Sequence, residues 1–167
     1  MALSTTAKLI LQANLSSALD LASRVSEIAY SRSYVYTSGA GAGQADLVWS
    51  DQRTLTASAT EDLDLAGVLS DAFGAALTFA RIKALIVEAA AGNTNNVQVT
   101  RPASNGVPFL LAAGDGIALR PGACMAWLDP TAAGVVVTAA TGDLITVTNS
   151  AGGTSVTYNI IIIGAAS

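Results

Sequence analysis

From Leu77 onward the chain is a succession of short apolar or alternating runs, each closed by glycine, proline, asparagine or aspartate. The runs are LTFARIKALIVEA (77–89), NVQVTR (96–101), GIALRPG (116–122), CMAWL (124–128), GVVVTA (134–139), DLITVTN (143–149) and TSVTYNIIIIG (154–164). Between them lie AGNTNN, ASNG, AAGDG, LDPTAAG, ATGD and SAGGT, whose residues supply the dihedrals and side-chain hydrogen bonds of tight turns. Runs this short, at this spacing, leave no room for crossover helices, so the chain reads as all-β, a sandwich or barrel.

The first forty residues are less determinate. Lys8–Leu15 alternates, with Leu9, Leu11, Ala13 and Leu15 on one side, and Tyr30–Tyr36 alternates too. Ala18–Ile28, in contrast, can be drawn as a helix through Leu21, Val25 and Ile28. Aromatic and β-branched residues favour strands at both ends, with the middle open. A short helical turn is expected near Leu69–Phe73, kept short by Gly67 and Gly74. SGAGAGQAD (38–46) separates the N-terminal segment from the rest. The expected organisation is an arm or additional strands over 1–38, a Gly-rich joint over 39–45 and a β-sandwich over 46–167.

Charge is scarce: 12% of the 167 residues are charged and 51% hydrophobic, with a net charge of −4. Leu85–Val87, Val135–Val137 and Ile160–Ile163 are apolar on both sides of a strand, whereas a two-sheet protein ordinarily gives each strand one wet face. A second cover is therefore expected, partly from the N-terminal forty residues and partly from neighbouring subunits. No block of about 18 apolar residues suggests a membrane span, and MALSTTAKLI lacks the basic and apolar regions of a signal peptide, so a soluble, unprocessed chain is expected. The two lysines and six arginines stand singly, which argues against nucleic acid as a partner.

Candidate chemistry is sparse. The chain has no histidine, which removes histidine-based triads and metal sites, and one cysteine, which fits a reducing compartment. The glycines of 39–43 lack the Lys-Ser/Thr and following helix of a phosphate loop. Glu61, Asp62 and Asp64, with Asp71 nearby, could be drawn as a Ca²⁺ site or an acid/base pair. Leu63 and Leu65 instead suggest an edge strand with a solvated side. Cys124 is expected to be a buried, inert thiol. Trp49 and Trp127, with Tyr30, Tyr34 and Tyr36, could form a sugar platform, but core or interface anchors suit so few aromatics better. The Asn14 sequon has no sign of a secreted context, and Asn93, Asn95, Asn96 and Asn105 read as turn residues. No catalytic, cofactor or metal residue is assigned; the expected oligomer or partner interface is Tyr34, Tyr36, Trp49, Trp127, Ile161 and Ile163.

Across Gln44–Ser167, the segments QADLVWSDQRTLTASATEDLDLAG, LTFARIKALIVEAAAGNTNNVQV, RPG (120–122) and LDPTAAGVVVTAATGDLITVTNSAGGTSVTYNIIIIGAAS resemble a group of small proteins encoded among the virion structural genes of tailed bacteriophages and prophages. As a small His-free, Gly/Ala/Thr-rich β-protein the chain also resembles the jelly-roll decoration, or cement, proteins of phage capsids. The resemblance implies a jelly-roll sandwich with an N-terminal extension, made in the bacterial cytoplasm and placed on the capsid surface of the virion. It implies the major capsid protein as partner, self-association as a trimer ahead of a dimer, no enzyme activity and no cofactor. Its motifs are turns and strands, so no functional residue is carried over. Another virion part (tail, neck or baseplate), a carbohydrate-binding module and a hydrolase using Asp62 or Asp64 are the competing readings.

Overall fold

The computed structural model describes residues 2–18 and 20–167, and among them every regular element is a β-strand. In chain order they are β1 (Thr5–Ala18), β2 (Ser23–Tyr36), β3 (Leu47–Leu55), β4 (Thr60–Asp64), β5 (Arg81–Ala89), β6 (Val97–Thr100), β7 (Gly116–Leu119), β8 (Cys124–Leu128), β9 (Val135–Val136), β10 (Leu144–Asn149) and β11 (Val156–Ala165). All pairings between them are antiparallel.

β1 and β2 form a two-stranded hairpin by themselves. A second sheet has the order β4-β10-β6-β7, a third the order β3-β11-β5-β8, with β9 pairing the start of β5. Consecutive strands β3 and β4 lie in different sheets, as do β5 and β6, β7 and β8, and β10 and β11. Leu63, Val97, Val99, Ile145 and Val147 of one sheet meet Trp49, Leu85, Val87, Tyr158, Ile160 and Ile162 of the other in a single buried cluster.

The period-2 pattern decides which side chains enter that cluster. In β10 and β11 buried residues alternate with wetter ones from Ile145 to Asn149 and from Val156 to Ile162. Asp62 and Asp64 face outward from β4 while Leu63 is buried, the arrangement of a solvated edge strand.

One open reading is decided and one local expectation is corrected. Among the described residues, Ala18–Ile28 contains no helix: Ala18 and Ser23–Ile28 are strand, in register from Ala18↔Ser23 to Thr5↔Tyr36. Leu69–Phe73 is not a helical turn either. Asp71 Oδ1 accepts the backbone N–H groups of Phe73 and Ala75, both at 2.8 Å, and Gly74 has φ +83°. The carboxylate offers the backbone a tighter turn than a helix would, and Ser70 and Ala76 close it as a β-bridge.

Of the outward residues of the apolar runs, Ile163 finds a second cover, while Ile161 and Val136 stay exposed; the outer face of the β3-β11-β5-β8 sheet is layered. One layer is polar: Gln52, Asn159, Glu88 and Cys124 lie side by side across the four strands. The next holds Ser50, Ile161, Ile86 and Ala126, with Ile161 exposed. The third holds Val48, Ile163, Ala84 and Leu128. Over this last layer Tyr36 and Ala45 are fully buried and Leu3 and Tyr34 half-buried, so the N-terminal segment supplies the cover.

Candidate functional site

The hairpin is fourteen residues per strand, a reach of about 45 Å at the rise of an extended chain. Cross-strand partners share a face, so its two faces can be read directly from the register. One face carries Ala7, Leu9, Leu11, Ala13 and Leu15 on β1 and Tyr36, Tyr34, Tyr30 and Ile28 on β2. Its charges are Arg32 and Arg24 alone, and the Arg32 guanidinium stacks over the Tyr34 ring at 5.5 Å. The other face is largely polar, with Lys8, Gln12, Asn14 and Ser16 opposite Ser33, Ala29, Glu27 and Val25.

The apolar face is continuous from root to tip, but its environment is not. At the root Tyr36 is buried against Ala84 and Ile163, and its hydroxyl donates to the Lys83 carbonyl at 3.1 Å. Further out, Leu9, Leu11, Tyr30 and Ile28 are about half exposed and Leu15 is 76% exposed. Two strands without a third have too little apolar contact to be more than marginally stable in water. The tip therefore carries a face shaped for burial and left in solvent.

The glycine-rich stretch fixes the direction of this arm. Thr37 N donates to Gly43 O at 3.0 Å, Ala45 N to Thr37 O at 2.8 Å and Gly43 N to Pro130 O at 2.8 Å. Gly41 N donates to the Gln44 side chain at 2.9 Å, and Gly43 takes φ +63°, a conformation glycine adopts without strain. The joint is thus a folded loop tied to the body, not a loose hinge.

Beside the root lies a groove of about 610 Å³ along the free edge of β3, walled on the other side by Ser70–Leu77. Trp49 and Leu77 form its buried floor, and Val48 and Phe73 its exposed apolar rim, Phe73 being 82% exposed. Asp46, Asp51 and Asp71 place three carboxylates on it. β3 pairs only with β11, so the backbone groups on its other side are unpaired with any strand among the described residues.

The six residues expected at an interface are scattered. Tyr36, Trp49 and Ile163 lie inside the chain: Tyr36 and Ile163 in the second buried cluster, Trp49 in the main one under Arg53 at 5.5 Å. Trp127 packs half-buried on the main core and Tyr34 on the second cluster. Of the six, Ile161 is the most exposed, at 37%. A large side chain on a strand cannot announce from sequence which sheet face it takes, and Tyr36, Trp49 and Ile163 took covered ones. The leucines of β1, alternating through Leu9, Leu11 and Leu15, are the exposed apolar residues that interface reasoning passed over.

The acidic residues serve the fold. Glu61 accepts from Arg53 Nη1 and from the Tyr158 hydroxyl, each at 2.6 Å, and Asp62 accepts from Thr146 at 2.5 Å. Burial, then the hydrogen bond that Tyr158 donates to Glu61, holds the Tyr158 pKa far above its ordinary value. No group of three metal-ligating side chains occurs among the described residues. Cys124 is exposed, not buried: Met125 and Trp127 take the core side of β8, which turns Cys124 outward. Lys83 is fully buried, an arrangement with no signal in the local residue pattern. Its ammonium donates to the Thr131 carbonyl and, at 2.7 Å, to the Ala132 carbonyl, and desolvation lowers its pKa. It ties the loop after β8 to the sheet under the arm root.

No family model, no curated protein and no solved structure matches this chain.

Proposed function

We propose that this chain is a virion structural protein of a tailed bacteriophage, a jelly-roll decoration (cement) protein that binds the assembled shell as an oligomer and bridges major capsid subunits. The observation that carries the reading is the arm, a hairpin rooted in the body by Tyr36 with the outer part of its apolar face in the open. An enzyme has no evident use for such a projection; a part that works by contacting neighbours does.

The strand order supports the jelly-roll form. Eight strands divided as β3-β11-β5-β8 and β4-β10-β6-β7 are what two interleaved Greek keys leave when each pairs first with last. The body then serves as a compact block, and the arm as its means of attachment.

Such a protein acts by mass action. Because it binds the assembled lattice and not the free subunit, each bound copy lowers the free energy of the shell and leaves that of the parts unchanged. Linking several weak contacts through one oligomer multiplies their effect without a new contact. A trimer suits a shell with local three-fold positions, a dimer the two-fold ones.

Co-sedimentation with expanded and unexpanded shells of the major capsid protein tests this. The expected result is pelleting with expanded shells and a rise in their disassembly temperature. Failure to pellet with either form would remove the proposal.

A further inference from the structure

The outer part of the arm and the groove beside β3 fit each other, and they do not meet within one chain: only Ala2 and Leu3, ahead of β1, line the chain's own groove, and the arm is exposed from Leu9 outward. We infer that the outer part of the arm docks in the groove of a second copy of this chain, with Leu9 and Leu11 against Val48 and Phe73 and with Arg32 facing Asp51. This deepens the self-association within the proposed function and does not depend on the shell.

Charge selects the groove over other surfaces. The apolar face of the arm carries Arg24 and Arg32 and no carboxylate, since Glu27 lies on the opposite face. The body, residues 46–167, carries ten Asp and Glu against five Lys and Arg, a net −5, and the groove holds three of those aspartates. Asp51 pairs with Arg53 at 3.1 Å and would share its charge with Arg32, while Asp46 and Asp71 accept backbone N–H groups. Arms stacked face to face would instead set the arginines of each copy among those of the next with no counter-charge, which is unfavourable once the face is desolvated.

Area and shape agree. The exposed part of the face, from Leu9 to Ala18, is about 33 Å by about 10 Å, or about 330 Å², so one docked arm buries about 660 Å² over both partners and a reciprocal pair about 1,300 Å², at the lower end of stable specific interfaces. The free edge of β3 adds backbone donors and acceptors to which an extended strand can pair. Continuity supplies the remaining support: the face that meets the copy's rim is the one already buried at its own root by Ala84, Ile163 and Leu128.

The test uses full-length chains in which Cys124 is replaced by Ser. One carries Leu11→Cys and the other Phe73→Cys, both at exposed positions, with circular dichroism as a check that each folds. On oxidation the mixture is expected to give a disulfide-linked dimer of the two chains, and neither chain alone to link to itself. Self-linking of the Leu11→Cys chain would show that arms pair with arms and would overturn the inference. In sedimentation velocity the wild-type chain is expected to be oligomeric at micromolar concentration. Arg32→Glu should weaken the oligomer about tenfold or more, and Asp51→Arg in the same chain should recover it. A wild-type monomer, or an Arg32→Glu chain as oligomeric as the wild type, sinks the docking. A monomer that nonetheless pellets with shells sinks it and leaves the shell binding of the proposed function standing; an arm-linked oligomer that ignores shells does the reverse.

Discussion

Tyr158 on β11 and Glu61 on β4 meet across the two sheets, the phenol donating to the carboxylate at 2.6 Å, and Arg53 on β3 holds the other carboxylate oxygen at the same distance. The three groups clamp the sheets together at the rim of the core, where a buried hydroxyl and a carboxylate would each be costly alone.

This clamp sets an alkaline limit. The Tyr158 pKa is raised by burial first and by Glu61 second, so the folded state holds a proton that the unfolded chain releases near pH 10. The stabilisation stands in full below that pH and is lost as pH rises above it. Urea unfolding of the wild type should therefore weaken above about pH 10, by up to about 1.4 kcal/mol per pH unit from this group. Tyr158→Phe should cost about 1–2 kcal/mol at neutral pH and lose less on going alkaline. An unchanged alkaline slope would remove Tyr158 as its source.

Gly164 marks the point where the β11–β5 register slips, between Ile163 and Gly164. A Cβ there would run into the Arg81 carbonyl and the Phe79 ring, and neither can move, one being backbone and the other buried core. Gly164→Ala should destabilise by about 2–4 kcal/mol, seen as a fall of several degrees or more in Tm by calorimetry.

Root and tip of the arm should separate cleanly by mutation. Tyr36→Ala empties a buried site and breaks the bond to Lys83, for an expected loss of about 3–4 kcal/mol in the unfolding of the body. A chain beginning at Ser33 keeps Tyr34 and Tyr36 and should unfold within a few degrees of the full-length body while losing its self-association. Calorimetry and light scattering on the same samples read the two effects.

Cys124 should react with a thiol reagent in the native protein, one thiol per chain without denaturant. Partial burial and then Glu88 raise its pKa, so the rate should keep climbing past pH 9. A thiol that reacts only after unfolding would place the β8 side chains on the wrong faces.

Most of the strands were legible because each carries its own period and its own turn. CMAWL is β8 residue for residue, and DLITVTN and NVQVTR contain β10 and β6. Ala18–Ile28 was ambiguous because Leu21, Val25 and Ile28 satisfy a helical period as well as a strand, and pairing with β1 decided it. The groove could not be read at all. It exists because Val48 on β3 lies beside Phe73 in a turn twenty-five residues later, a proximity set by register and by the Asp71 turn. Lys83 was hidden for a related reason, since its partners are carbonyls of a loop whose position only the fold supplies.

The loop from Thr37 to Ala45 bears on how an assembly of these chains is chosen. Its hydrogen bonds to Pro130 and within itself hold the arm at one angle to the body before any partner arrives. Much of the orientational entropy that association ordinarily costs has then been lost already, at folding. In the proposed oligomer, the number of copies that close a ring would follow from that angle. A change that loosened the loop would leave every contact intact and still yield assemblies of mixed size.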